Sequence, residues 1–170
     1  MRRLHVIASI FAAGLALSAA ALADNQSVSD PLGDTPQLKQ KPYLDIVRAT
    51  AGHALGDRLK HKVTMAATLK TEQKNSRPFI LINTRGDERS DFEYIVLGRR
   101  VFKVNKKDEF IKSGAAQFLG RKRTWVYRFP ARAIGNPREY GWAALTSKGK
   151  ASDLAPNRRY ELHLTDSESR

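Results

Sequence analysis

Asp87, Glu88 and Asp91 fall within five residues of one another, and Asp153 and Asn157 form a second, looser pair. Oxygen donors crowded on a turn suit a hard cation such as calcium, and the sequence places that possibility at the first turn, on Asp87 and Asp91. Neither run has the alternate-residue spacing of a dedicated calcium loop, and Asp and Asn in turns also bond their own backbone. Trp125, Tyr127, Tyr140 and Trp142 offer flat faces on which a pyranose ring could stack; side chains at alternating strand positions serve equally well as core. Arg99, Arg100, Arg121, Arg123 and Arg128 lie close by, and a guanidinium fork matches carboxylate, sulfate or phosphate. Catalysis finds no such support. There is no Gly-x-Ser-x-Gly elbow, no His-Glu-x-x-His, no phosphate-cradling glycine loop and no cysteine nucleophile. The carboxylates Asp45, Glu93 and Glu139 have no spacing that marks a glycosidase pair. The chain reads as a binding protein and not as an enzyme.

Charge favours an anionic partner. The 170 residues carry 30 Lys plus Arg against 17 Asp plus Glu. Residues 99–138 hold 12 basic and 2 acidic groups, whereas residues 24–98 are nearly balanced at 11 and 10, and residues 139–170 hold 5 of each. A clustered basic segment concentrates anions near it and speeds their capture.

The N-terminus fixes the compartment in which such a partner is expected. Met1-Arg2-Arg3 precedes an apolar stretch from Val6 to Leu22 that closes on Ala21-Leu22-Ala23. A basic start, a short apolar run and small residues before the cut are what a signal peptidase requires, so residues 1–23 are expected to be removed after Ala23. No later run is long enough to span a bilayer, and without cysteine there is neither a lipidated N-terminus nor a disulfide framework. The expected location is periplasmic or extracellular. Acidic glycan or another anionic envelope component is the expected partner; nucleic acid, seldom met there, is not.

The elements that must position these groups are strands. Residues 24–42 nearly lack large apolar groups and read as a disordered arm. From residue 43 to 165 short period-two runs alternate with turn residues, which predicts an all-β domain of roughly eight or nine strands; residues 166–170 form a tail. In Leu59–Leu69 the odd positions Leu59, His61, Val63, Met65, Ala67 and Leu69 are largely apolar and the even ones polar, as a sheet with one wet face requires. Phe79–Ile82 and Phe92–Leu97 are apolar at consecutive positions, as strands covered on both faces are. Only Asp108–Leu119 and Pro130–Ile134 invite a helix, the former as a helical turn in a connecting loop. So many short strands in one chain of this length resolve as a two-sheet antiparallel sandwich, jelly-roll or Ig-like.

An ordered series of motifs adds to this reading: Asp91-Phe92-Glu93-Tyr94-Ile95-Val96, Trp125-Val126-Tyr127-Arg128-Phe129-Pro130, Ile134-Gly135-Asn136-Pro137, Tyr140-Gly141-Trp142-Ala143-Ala144 and Ser152-Asp153-Leu154-Ala155-Pro156-Asn157. Over Tyr43 to Leu164 the chain resembles the DOMON-like secreted sandwiches, relatives of the family-nine carbohydrate-binding modules. The resemblance implies a jelly-roll-like sandwich that binds sugar in some members and haem in others, the haem iron being held between an axial Met and an axial His. Met65 and His163 are the residues that would take those places here. Strand alternation opposes it: Tyr160, Leu162 and Leu164 form the apolar set of the last strand, so His163 is expected to face away from the core that receives Met65. The leading expectation is an exported non-catalytic domain for an anionic or carbohydrate ligand that needs no cofactor. A small haem carrier and a structural partner of another envelope protein are the alternatives.

Overall fold

The structure is a computed structural model and describes residues 26–34, 36–70, 76–85, 92–156 and 161–164. The expected signal peptide, Asp87, Asp91, Asn157 and the C-terminal tail lie outside the described residues. Among the described residues there are twelve strands and two short helical pieces: β1 (Gln26–Ser29), α1 (Pro36–Gln40), β2 (Ile46–Ala54), β3 (Arg58–Met65), β4 (Phe79–Asn83), β5 (Tyr94–Leu97), β6 (Arg100–Val104), β7 (Phe110–Ala115), β8 (Gln117–Arg121), β9 (Thr124–Pro130), a 3-10 turn (Ala131–Ile134), β10 (Glu139–Lys148), β11 (Ala151–Ala155) and β12 (Glu161–Leu164).

These form the two-sheet antiparallel sandwich that the alternating pattern predicts. The first sheet has the order β1-β2-β3-β9-β8; the second has β11-β10-β4-β5-β6-β7, with β12 pairing β10 beyond the end of β11. Each sheet turns one face inward. Ile46, Ala49 and Ala51 of β2, Leu59, His61, Val63 and Met65 of β3, and Tyr127 and Phe129 of β9 meet Ile80, Ile82, Val96, Val101, Tyr140, Trp142 and Ala144 of the opposite sheet in one core. The odd positions of β3 are all buried, as their apolar character requires. Ile80, Leu81, Ile82, Tyr94, Ile95 and Val96 are buried at consecutive positions, which explains why β4 and β5 lack alternation.

Two local readings differ from the structure. Residues 24–42 were expected to drape loosely, yet β1 pairs with β2 from Gln26↔Ala51 to Ser29↔Arg48. Leu38 on α1 is fully buried with Leu44 and Ala151. One Leu and a backbone ladder anchor the segment despite its polar composition. The stretch expected as a helical turn, Asp108–Leu119, instead holds β7 and β8. The chain leaves one sheet at Ala115 and enters the other at Gln117, and between them the Ala116 N–H donates to the Arg99 carbonyl. The shorter helical piece is present as the 3-10 turn, closed by Gly135 at a φ of 87° that a side chain would resist.

Candidate functional site

The outward face of the five-stranded sheet can be read from its registers. One row runs Ser29, Arg48, Thr64, Thr124, Arg121; the next runs Ser27, Thr50, Lys62, Val126, Leu119; a third runs Gly52, Lys60, Arg128, Gln117; and a fourth pairs Ala54, Arg58 and Pro130. Arg48, Arg58, Lys60, Lys62, Arg121 and Arg128 thus share one face, and none of the described residues in these rows is a carboxylate. Neighbouring strands lie about 4.8 Å apart and alternate residues about 6.7 Å apart along a strand, so the six cations occupy an area roughly 20 Å on a side.

Two features of this face bear on chemistry. Lys60 stands directly opposite Arg128 on the neighbouring strand, an arrangement that is unfavourable for like charges unless an anion lies between or above them. Beside that pair, Ser27, Arg48, Thr50, Lys62 and Thr64 line a hollow of about 260 Å³. Arg48 Nε donates to Ser27 Oγ at 2.8 Å, which holds the guanidinium over the hollow's edge. Two cations and three hydroxyls around a small depression suit a single phosphate, sulfate or carboxylate group, the hydroxyls donating to oxygens whose charge the cations balance. A second hollow, of about 500 Å³, lies where the chain crosses between sheets, with Arg58 and Arg132 in its lining.

The residues that the sequence proposed for anion binding divide. Arg121 and Arg128 lie on the cationic face. Arg123 is exposed at the β8–β9 hairpin, where its Nη1 donates to the Ala66 carbonyl at 3.1 Å. Arg99 and Arg100 are exposed on the β5–β6 hairpin of the other sheet, whose turn begins at Gly98 with a φ of 58°. The basic block of residues 99–138 is therefore not one surface. The sequence missed Arg48, Arg58, Lys60 and Lys62, which complete the face from a segment whose net charge is close to zero; the Lys at even positions of β3 was the signal.

The aromatic platform is corrected by burial. Tyr127, Tyr140 and Trp142 are fully buried, because their strands turn those positions towards the opposite sheet. The Tyr127 hydroxyl donates to the Pro78 carbonyl, and burial pushes its phenol pKa up. Trp125 is half-buried, stacked on Phe118 with ring centroids 5.5 Å apart. It lies across Gly120, where any Cβ would come within 2.0 Å of the indole. None of the four presents an open face comparable to a sugar-stacking shelf.

His163 is also corrected. It was expected on the surface, but it is buried at 1 % exposure because β12 pairs it with Tyr140, on the row that faces the core. Its ring lies 5.1 Å from that of His53 and 5.4 Å from that of Tyr140. His61 is buried as the sequence placed it, with Nε2 2.9 Å from the Tyr140 hydroxyl and its ring parallel to Phe129. Burial, and then the neighbouring His163 and His53, lower its pKa to about 3, so it is neutral. Met65 is core, but four residues along β3 from His61, roughly 13 Å at strand rise. It pairs with Ile46 at the end of the ladder opposite His53 and Leu59. The structure does not bring Met65 and His163 to one centre.

No family model, curated protein or solved structure matches this chain.

Proposed function

We propose that the chain is an exported, non-catalytic binding domain that holds an acidic glycan of the cell envelope on the outer face of its five-stranded sheet. The observation that carries this reading is the run of six cationic side chains across β2, β3, β9 and β8 without an interspersed carboxylate, including the directly opposed Lys60 and Arg128. A soluble domain mixes the two signs on its surface; keeping like charges side by side forgoes stability that a bound polyanion restores. An outward sheet face suits an extended polymer more than an enclosed small molecule. The hollow between Arg48 and Lys62 offers a seat for one anionic substituent, and its two cations favour phosphate, sulfate or carboxylate over a neutral sugar. Burial of Tyr127, Tyr140 and Trp142 points the same way, since neutral pyranoses are held chiefly by exposed aromatic faces. Export rests on the leader-like residues 1–23, and among the described residues no helix is long and apolar enough to cross a membrane. In this reading the domain is a DOMON-like sandwich that binds by charge.

The test is a titration of the mature chain with a sulfated polysaccharide at increasing sodium chloride. Affinity should fall at least about tenfold between 50 and 300 mM salt, because the groups are partly exposed and screened. An affinity that is flat over that range contradicts the reading.

Docking to another envelope protein is favoured by a different observation. Strands β7 and β8 end their sheets, and Phe110, Ile111 and Leu119 on them are more than half exposed.

A further inference from the structure

The outward face of the second sheet differs in kind from that of the first. One row runs Ala143, Leu81, Ile95, Phe102, Lys112. The rows flanking it pair Leu97 with Arg100 and Val104 with Phe110. The positions between these rows, Ile80, Ile82, Val96 and Val101 among them, supply the core, so the three rows point out of the sandwich. Ala143, Leu81 and Ile95 are buried, but towards β7 the face opens, with Leu97 at 48 % and Phe110 at 58 % exposure. Phe102 is half-buried between them and meets Phe110 edge to face, ring centroids 6.3 Å apart. Leu97 and Phe110 stand two strands and four residues apart in the ladder, roughly 16 Å. Leu97, Phe102 and Phe110 thus form one diagonal apolar ridge.

Cations flank this ridge. Arg100 stands opposite Leu97 and Lys112 opposite Phe102, while Arg99 and the Lys106–Lys107 pair lie in the hairpin turns at its two ends, all of them exposed. Between Leu97 and Ala115 the chain holds six basic residues against Asp108 and Glu109, and Glu109 accepts from Asn105 Nδ2 at 2.7 Å. Glu93, whose carbonyl accepts the Val104 N–H, is ion-paired with Arg85. Exposed Leu and Phe ringed by Arg and Lys match a lipid–water boundary: apolar side chains enter the edge of the acyl layer, and cations on long stems reach the head groups. A second copy of this chain would set the same cations against one another, so charge opposes self-association through this face. An anionic lipid surface complements both parts.

We propose that this ridge docks the domain on an anionic phospholipid surface, with Leu97, Phe102 and Phe110 entering the interface and the flanking Arg and Lys meeting head-group phosphates. The cationic face belongs to the other sheet and points the opposite way, so a docked domain keeps that face open. The docking surface stands whether or not the cationic face binds glycan.

The test is sedimentation of the mature chain with vesicles of phosphatidylcholine alone and of phosphatidylcholine containing about 30 % phosphatidylglycerol. The parent should partition at least about tenfold more strongly onto the anionic vesicles. Part of that binding should persist at about 500 mM sodium chloride, where contacts between exposed charges alone are screened. Leu97→Ser with Phe110→Ser keeps every charge, so it should melt close to the parent yet lose at least about tenfold in partition. Should that variant fail to fold, Phe110→Trp alone should shift its emission to the blue when anionic vesicles are added. Partition that the serine variant leaves unchanged would assign the binding to charge alone, as on the cationic face, and overturns the proposal. No partition of the parent, which would leave the ridge to a protein partner, or a Phe110→Trp emission that vesicles do not move, overturns it equally.

Discussion

His61 shows how a polar side chain is accommodated in this interior and what it does to stability. Its Nε2 has the Tyr140 hydroxyl and its ring lies on Phe129, while His53 and His163 stand nearby and oppose any charge on it. Folded His61 stays neutral down to about pH 3, whereas in the unfolded chain it takes a proton near 6.5. Between those values the unfolded state binds more protons, so acid favours unfolding, by about 2 kcal/mol at pH 5. Asp30 acts in the opposite sense: its raised pKa makes a contribution that is complete below the ordinary carboxylate value and lost as the pH rises towards 7. The two separate in a comparison of the parent with His61→Gln, which share Asp30. From pH 7.5 to pH 5 the parent should lose about 2 kcal/mol more than the variant in urea unfolding; equal losses would mean that His61 is not held neutral. Sequence alternation located His61 correctly, because β3 is long and regular. It misplaced His163, since a four-residue strand gives too short a pattern to fix a face, and the residue opposite it, Tyr140, was not knowable without the register.

At the scale of elements, the strands that escaped the sequence reading are β1, β7, β8 and β11, and each ends a sheet. Edge strands are solvated on one side of the ladder and often on both faces, so they carry little of the apolar alternation by which strands are recognised. β7 is exposed at nearly every position. Central strands were legible for the converse reason: β3, β4, β5, β9 and β10 each bury at least one continuous face. The cationic face was legible only in part because it is made by pairing. Lys60 and Arg128 are 68 positions apart in the chain, yet the β3–β9 register sets them side by side. Removing one of two opposed like charges should not weaken the sheet. Lys60→Gln is expected to leave urea stability unchanged or raise it by about 0.2–1 kcal/mol at low salt, with the gain shrinking as salt screens the pair. A loss of more than about 1 kcal/mol would show that the Lys60 stem contributes packing that outweighs its charge.

At the scale of the whole molecule, two groups of charge lie apart among the described residues. Six cations line the outside of one sheet, while Asp30, Asp45 and Asp153 are buried where the β1–β2 segment meets β11. A uniform excess of Lys and Arg would serve solubility and make binding depend on net charge alone; a built face makes it depend on which charges are removed. The most direct measurement compares two variants of equal charge in binding to a sulfated polysaccharide at about 100 mM salt: Lys60→Gln with Arg128→Gln on the face, and Arg99→Gln with Arg100→Gln on the distant β5–β6 hairpin. The face variant should bind at least about tenfold more weakly than the parent, two lost charge-assisted contacts being worth that or more, and the hairpin variant should bind within about twofold of it. Equal losses in both variants would contradict the account.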